Sequence, residues 1–118
     1  MILIATSDIF FRSKLMQAAK SFGEQAEFAA THDSLVSKAK DARLVVVDLA
    51  EFSDLLPEVK AAGCKIIGYY PHAQGHLAAR AQQVGCDMTL PRSTLVAKLG
   101  ELIQLQKAGK KFEQETKY

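Results

Sequence analysis

No stretch of this 118-residue sequence approaches the roughly 20 consecutive apolar residues that a membrane span needs. The opening Met1-Ile2-Leu3-Ile4-Ala5 is short and has no basic flank, so it does not read as a secretory signal, and the expected compartment is the cytoplasm. Cysteine is scarce. Cys64 and Cys86 have neither C-x-x-C spacing nor a nearby Cys/His set, which leaves two buried structural thiols as the expectation and no metal. There is no glycine-rich phosphate loop, no nucleophile–base pair of a hydrolase, no internal repeat and no linker. Charge of one sign is also short. The net charge is +2, and Lys107 to Tyr118, with four Lys and two Glu, carries all of it. The neutral body lacks the basic stripe of a nucleic-acid binder, so neither nucleic acid nor membrane is an expected partner.

What is present is an ordinary globular composition, 48% apolar and 24% charged, long enough for one domain with a real core. Apolar runs alternate with segments of helical period. The pattern predicts strands at 2–5, 25–30, 44–47, 64–69 and 87–90. It predicts helix one at 8–22, capped by Asp8 or Ser7, with Phe11, Leu15, Ala19 and Phe22 inward. Helix two opens at Asp33 and runs to Lys40, with Leu35 and Ala39 inward and His32 in the preceding loop. Helix three spans 53–62 with Leu55, Val59 and Ala62 inward and Pro57 in its first turn. Helix four spans 73–84 with Leu77, Ala81 and Val84 inward. Helix five is capped by Ser93, and Leu95, Leu99, Leu102 and Ile103 form its inner face. Gly23, Gly63 and Gly85 each stop a helix just before a strand. Five β-α units with this punctuation predict an α/β, flavodoxin-like, doubly wound parallel sheet of order 2-1-3-4-5 over residues 1–106, with 107–118 as a charged tail or helix extension.

The most informative residue is Asp48, which closes the most apolar run, Arg43-Leu44-Val45-Val46-Val47-Asp48. A carboxylate at the carboxyl end of a buried parallel strand lies where open α/β sheets bind ligands. The switch point between strands one and three brings Thr6 and Ser7 to the same crevice, with Tyr70 expected after strand four and Arg92 after strand five.

With those positions in view, residues 2–106 resemble the receiver domain of two-component response regulators. Ile2-Leu3-Ile4-Ala5-Thr6-Ser7-Asp8-Ile9-Phe10-Phe11-Arg12 is similar to that family's first strand and helix start. Asp48 falls at the phospho-accepting Asp, Tyr70 at the Thr/Ser after strand four, and Gly85 fifteen residues on. Leu90-Pro91-Arg92-Ser93 looks like the loop with the phosphate-clamping Lys, Arg92 taking its place, and Thr89 stands where the family has a switch aromatic. The resemblance implies Mg²⁺ held by an acidic pair and the acceptor Asp, because phosphoryl transfer needs its charge neutralised. Yet Thr6 and Ser7 replace the acidic pair, and Asp8, one step late, reads as a helix cap. Tyr70 is far larger than Thr, and its hydroxyl could reach Asp48. Arg92 is not equivalent to Lys. The Asp48-to-Tyr70 segment is shorter than in receivers, and Leu49-Ala50-Glu51-Phe52 lacks the usual Pro and Gly.

The resemblance therefore implies a degenerate receiver, a non-catalytic signalling module of the cytoplasm that works by protein–protein interaction without phosphorylation. Its partner is a signalling protein, or a second copy, bound through the helix four–strand five–helix five face at His76, Arg80, Gln83, Thr89, Lys98 and Glu101. No cofactor is expected. The alternatives are a receiver phosphorylated on Asp48 by a histidine kinase, which alone would bring in Mg²⁺, and a binder of a small anionic ligand at the crevice. Asp48 and Arg92 are otherwise read as a structural ion pair. His72 and His76, four apart, read as a surface pair, and Tyr69-Tyr70-Pro71, with Phe10, as exposed aromatic contact points.

Overall fold

The computed structural model describes residues 1–113. Five strands, β1 (Ile2–Ala5), β2 (Ala26–Ala29), β3 (Leu44–Asp48), β4 (Lys65–Tyr70) and β5 (Met88–Pro91), form one sheet. Its order is β2-β1-β3-β4-β5 and every pair is parallel, as the alternating pattern predicts. The helices are α1 (Ile9–Ser21), α2 (His32–Ala39), α3 (Leu49–Phe52), α4 (Leu56–Ala61), α5 (His76–Gln83) and α6 (Arg92–Lys107), with single 3₁₀ turns at Ser53–Leu55 and His72–Gln74.

The central strands are apolar on both faces because both are covered. Ile2, Ile4, Leu44, Val46, Ile67 and Tyr69 face α1 and α6, meeting Phe11, Leu15, Ala19, Leu95, Leu99, Leu102 and Ile103. Leu3, Ala5, Val45, Val47, Ile66 and Tyr70 face the other layer, meeting Leu35 of α2, Phe52 of α3, Val59 of α4 and Ala81 of α5. Cys64 and Cys86 are free, buried thiols in this second layer. Burial pushes the Cys86 thiol up to about 12, so it stays protonated and donates to the Met88 carbonyl at 3.2 Å.

Several boundaries and faces differ from expectation, each for a local reason. Asp8 alone caps α1, its carboxylate accepting the Phe11 N–H at 3.0 Å. Thr31 caps α2 by accepting the Ser34 N–H at 3.2 Å, which starts the helix at His32 and seats that ring edge-on against Phe52. The expected helix over 53–62 is a 3₁₀ turn followed by the shorter α4, and a further short helix, α3, precedes it where a loop was expected; Leu56 and Val59 are buried and Leu55 and Ala62 only partly so. Pro57 sits in the first turn of α4, where its missing N–H is tolerated. Ser93 does not cap α6; Pro91 holds the cap position with no side-chain bond, and the helix starts at Arg92. Phe22 and Val84 sit past the ends of their helices and are 41% and 43% exposed. Tyr69 and Tyr70 lie within β4 and are buried, not an exposed edge.

The loop after α1 and the segment before β3 are tied by charge to the end of α6. Glu24, after α1, is buried and accepts both the Arg43 guanidinium and, at 2.9 Å, the Lys107 ammonium, while Arg43 Nε donates to Gln106 at 2.8 Å. Lys107 thus belongs to the end of α6, beyond which Phe112 packs against the α1–α6 core layer.

Two glycines exist for close approach. An added Cβ at Gly68 of β4 would lie 2.8–2.9 Å from the buried Leu49 side chain, and one at Gly100 of α6 would meet the Phe22 ring at 2.2 Å. Leu49 is fully buried, whereas Phe22, 41% exposed, can swing into solvent. Gly68→Ala is therefore expected to destabilise by about 1–3 kcal/mol and Gly100→Ala by less, read from denaturant midpoints; equal effects would contradict this packing. The Arg43 and Lys107 bonds hold the Glu24 carboxyl down from its ordinary 4.5 to about 2. A depressed carboxyl stabilises the fold above its unfolded pKa, so this contribution is complete above about 4.5 and is lost as pH falls towards about 2. Glu24→Gln should flatten that acid limb in equilibrium unfolding measured from pH 2 to 6, ~4 units wide.

Candidate functional site

The loop after β1, the end of β3 and the end of β4 converge at the switch point. β-strand register sets the arrangement. Asp48 pairs with Tyr69 across β3 and β4, so both side chains leave the sheet on the α1–α6 face. Thr6, two residues after Ile4, follows the same alternation and is fully buried.

Asp48 is the hub. It ends β3 and is also the N-cap of α3, its Oδ1 accepting the Ala50 N–H at 3.0 Å. Its Oδ2 lies 3.4 Å from the Thr6 hydroxyl and 3.3 Å from the Tyr69 hydroxyl, both donors. Thr6 Oγ1 also accepts the Asp8 N–H at 3.1 Å, closing the turn into α1. The expected contact from Tyr70 is made instead by Tyr69. Tyr70 points to the opposite layer with Ala78 and Phe52, since adjacent strand residues face opposite ways.

Glu51 is a site residue that the sequence reading missed. It lies three residues after Asp48 in the single turn of α3, and its Oε1 accepts the Ser7 N–H at 3.0 Å and lies 3.3 Å from the Thr6 hydroxyl. Asp48-x-x-Glu51 has capping-box spacing, which was the available signal; here the glutamate reaches across to the β1 loop instead of back to its own cap. Ser7 contributes its backbone N–H, and its side chain is exposed. Burial, then the neighbouring Glu51 charge, raise the Asp48 carboxyl, against the Ala50 bond. For Glu51 burial acts upward, but the Ser7 N–H and Ser7 side chain, then the Asp48 and Thr6 side chains, outweigh it and the carboxyl is lowered. The proton the pair takes up on acidification therefore goes to Asp48.

Arg92 does not pair with Asp48. Because β5 ends at Pro91 and α6 begins at once, the guanidinium projects towards α1, stacking 4.3 Å above the Phe11 ring and donating to Asp8 Oδ2 at 2.6 Å. The Phe11 N–H and then Arg92 hold the Asp8 carboxyl below its usual range. Phe11 in turn packs on Tyr69, ring centroids 5.0 Å apart.

The other expected surface residues divide. His76, Arg80 and Gln83 on α5 and Glu101 on α6 are exposed and Lys98 is half-buried, but Thr89 is 2% exposed and accepts from Gln82 Nε2 at 3.1 Å, so it cannot be part of a face. His72 and His76 are both exposed, and no group of three His, Cys, Asp or Glu side chains gathers among the described residues. Nor is any helix among them long and apolar enough to cross a membrane.

Neither a family model nor a curated relative matches the chain. Solved structures do. A response regulator receiver domain protein (CheY-like) from Methanospirillum hungatei superposes with a TM-score of 0.74 at 22% identity, over 92% of this chain and 96% of that one. The isolated REC domain of RcsB from Salmonella enterica serovar Typhimurium, with phosphomimetic BeF3−, gives 0.79 at 14% identity over 98% and 92%. A Burkholderia pseudomallei response regulator carrying a phosphorylated aspartic acid, a calcium ion and citrate gives 0.75 at 17% over 91% and 72%. The chain has the receiver-domain fold.

Two substitutions test the hub in opposite directions. Glu51→Gln removes a neighbouring charge and should lower the Asp48 carboxyl; Tyr69→Phe removes a donor and should raise it further. Carboxyl ¹³C shifts followed through an acid titration measure both, and movement in one common direction would contradict the geometry.

Proposed function

We propose that this chain is a degenerate receiver, a non-catalytic signalling module that acts by binding a partner protein without being phosphorylated. The observation that carries the reading is the occupancy of Asp48. As an acceptor of phosphate its carboxylate would need a free oxygen, a divalent cation and a nearby point charge to hold the transferred group. Here Oδ1 caps α3, Oδ2 faces two hydroxyl donors, and the guanidinium that stands in for the clamping lysine is engaged with Asp8. The donor set does not suit Mg²⁺, which requires near-octahedral oxygen ligation. Among the described residues the carboxylates that meet Thr6 are those of Asp48 and Glu51, Asp8 being paired with Arg92, and the oxygens nearest Thr6 already face the protein's own hydroxyl and N–H donors.

An anionic ligand is disfavoured by the same geometry. The Ser7 N–H that would receive it already binds the Glu51 carboxylate, and two carboxylates repel a third anion. Phosphorylation by a histidine kinase remains the competing reading, favoured by the placement of Asp48 at the end of β3 in a receiver fold. In the preferred reading the partner, or a second copy, uses the face formed by α5, β5 and α6 at His76, Arg80, Gln83, Lys98 and Glu101, in the cytoplasm, with the charged segment from Lys107 onward as an accessory.

Intact-protein mass after treatment with acetyl phosphate and Mg²⁺ separates the readings. The expected result is no adduct on the wild-type chain. An added phosphate that disappears in Asp48→Asn would overturn the proposal. Asparagine is the informative control because its Oδ1 can still accept the Ala50 N–H, whereas Asp48→Ala would also remove a helix cap worth about 0.5–2 kcal/mol.

A further inference from the structure

Helix α6 does not run on into the charged tail. It ends at Lys107, and Gly109, at φ +71°, turns the chain back. The Gly109 N–H donates to the Gln106 carbonyl at 3.1 Å and the Lys110 N–H to the Leu105 carbonyl at 3.0 Å, the bond pair of a Schellman stop. The left-handed φ favours glycine, so the reversal is specified by the sequence. Lys107 fixes the point of departure, because its ammonium is held by the buried Glu24 carboxylate.

The segment that follows, Lys110 to Glu113, lies as a strap between the end of α6 and the start of β5. Phe112 is its one apolar side chain, partly buried against the α1–α6 core layer. Phe112 also lines two cavities. One, of about 720 Å³, has Met88 of β5 and Leu102 and Leu105 of α6 in its wall. The other, of about 210 Å³, is closed by Lys65 and Asp87. Among the described residues Lys111, Phe112 and Glu113 make no backbone hydrogen bond, so the strap adds no strand to the edge of the sheet at β5. A segment held by one side chain between two cavities belongs to the low-stability end of a fold.

Lys98 and Glu101, two residues of the proposed partner face, line the larger of these cavities. The strap thus occupies ground that a partner on α5, β5 and α6 would need. A second copy is the less suited occupant. The reversal at Gly109 follows the helix end directly and leaves no slack hinge through which the strap could reach another molecule.

We propose that the space between α6 and β5 is a peptide-binding groove that the chain fills with its own Lys110–Glu113 strap, covering part of the partner face until an aromatic-bearing segment of the partner displaces Phe112. This regulation rests on the interaction-module reading. Displacement uncovers Met88, Leu102 and Leu105 beside Lys98 and Glu101, an apolar centre with a charged rim.

The test supplies the strap in trans. A peptide of residues 108–118 is titrated into the methyl-labelled full chain carrying Phe112→Ser and into the wild type. A strap seated through a short link acts at an effective concentration in the millimolar range. The peptide should therefore saturate Phe112→Ser with a Kd of about 1 mM or tighter, shifting Met88, Leu102 and Leu105. The wild type, its groove already filled, should bind about tenfold more weakly. Gly109→Ala keeps Phe112 but penalises the reversal, and should fall between the two. Its added Cβ meets nothing within 4 Å, so packing is undisturbed. Both variants should keep nearly the wild-type thermal midpoint, so a change in binding reports the strap and not unfolding. No saturation of Phe112→Ser, equal affinity for wild type and Phe112→Ser, equal binding of a peptide itself carrying Phe112→Ser, or shifts away from Met88 and Leu102 would each overturn the proposal. So would Phe112-dependent self-association of the wild type in sedimentation, which would give the groove to a second copy. A phosphate adduct on Asp48 would sink the phosphorylation-free reading by itself, and the groove would still stand or fall on the peptide titration.

Discussion

A half-buried carboxylate with no cation beside it must be satisfied by neutral donors, and that requirement shapes the crevice around Asp48. An ionised group removed from water without partners is strongly unfavourable. The chain answers with three donors from three places: the Ala50 N–H of α3, the Thr6 hydroxyl after β1 and the Tyr69 hydroxyl on β4. Each of these fixes something else. The Ala50 bond starts a helix directly at the strand end, with no loop between. That early turn puts Leu49 against Gly68 and brings Glu51 over the Ser7 N–H. The Thr6 hydroxyl, shared between both carboxylates, also receives the Asp8 N–H and so sets the entry to α1.

Seen this way, the short segment between Asp48 and Tyr70 and the absence of Pro and Gly from Leu49-Ala50-Glu51-Phe52 are one fact. A loop that left Asp48 open would need residues that break helix. This one has helix formers and an acid at the cap, so it folds as a helix and consumes the carboxylate. The neighbouring structures share the backbone at 14–22% identity. Such similarity is possible because the sheet asks only for apolar residues on both faces and a stop at each helix end. The crevice asks for particular atoms, and these are the positions where the chain departs from the receiver pattern.

The sheet order and both core layers were legible because they rest on period and punctuation. Ile2–Ala5 and Leu44–Val47 are continuous apolar runs, and Gly63 and Gly85 carry φ of +91° and +100°, values that favour glycine at a helix end. Asp48, Thr6 and Ser7 were legible as a meeting point for the same reason. Tyr69 and Tyr70 show the limit of that reasoning. Placing the strand end one residue early exchanges their faces, because side-chain direction alternates with each residue. Arg92 shows another limit. Its position after β5 was clear, but its direction depended on α6 starting without a spacer. Glu51 was hidden by treating 49–52 as loop, although the Asp-x-x-Glu spacing marked a helix start. The Glu24–Arg43–Lys107 cluster joins residues far apart in sequence and had no local signal.

The crevice and the α1–α6 face are joined by a continuous set of contacts. Asp48 accepts from Tyr69, Tyr69 packs on Phe11, Arg92 stacks over Phe11 and pairs with Asp8, and the Asp8 N–H returns to Thr6 beside Asp48. Phe11 and Arg92 also wall a cleft of about 610 Å³ between α1 and α6. Anything that draws Arg92 away from Asp8 must leave either Phe11 without its cation or Asp8 without its charge partner. The disturbance then reaches Tyr69 through a ring contact and Thr6 through a backbone bond. Linkage makes such coupling reciprocal: if occupancy of the cleft alters the proton affinity of Asp48, the protonation of Asp48 alters affinity at the cleft by the same factor. That ring of contacts runs without a break from the Asp48 crevice to the surface between α1 and α6.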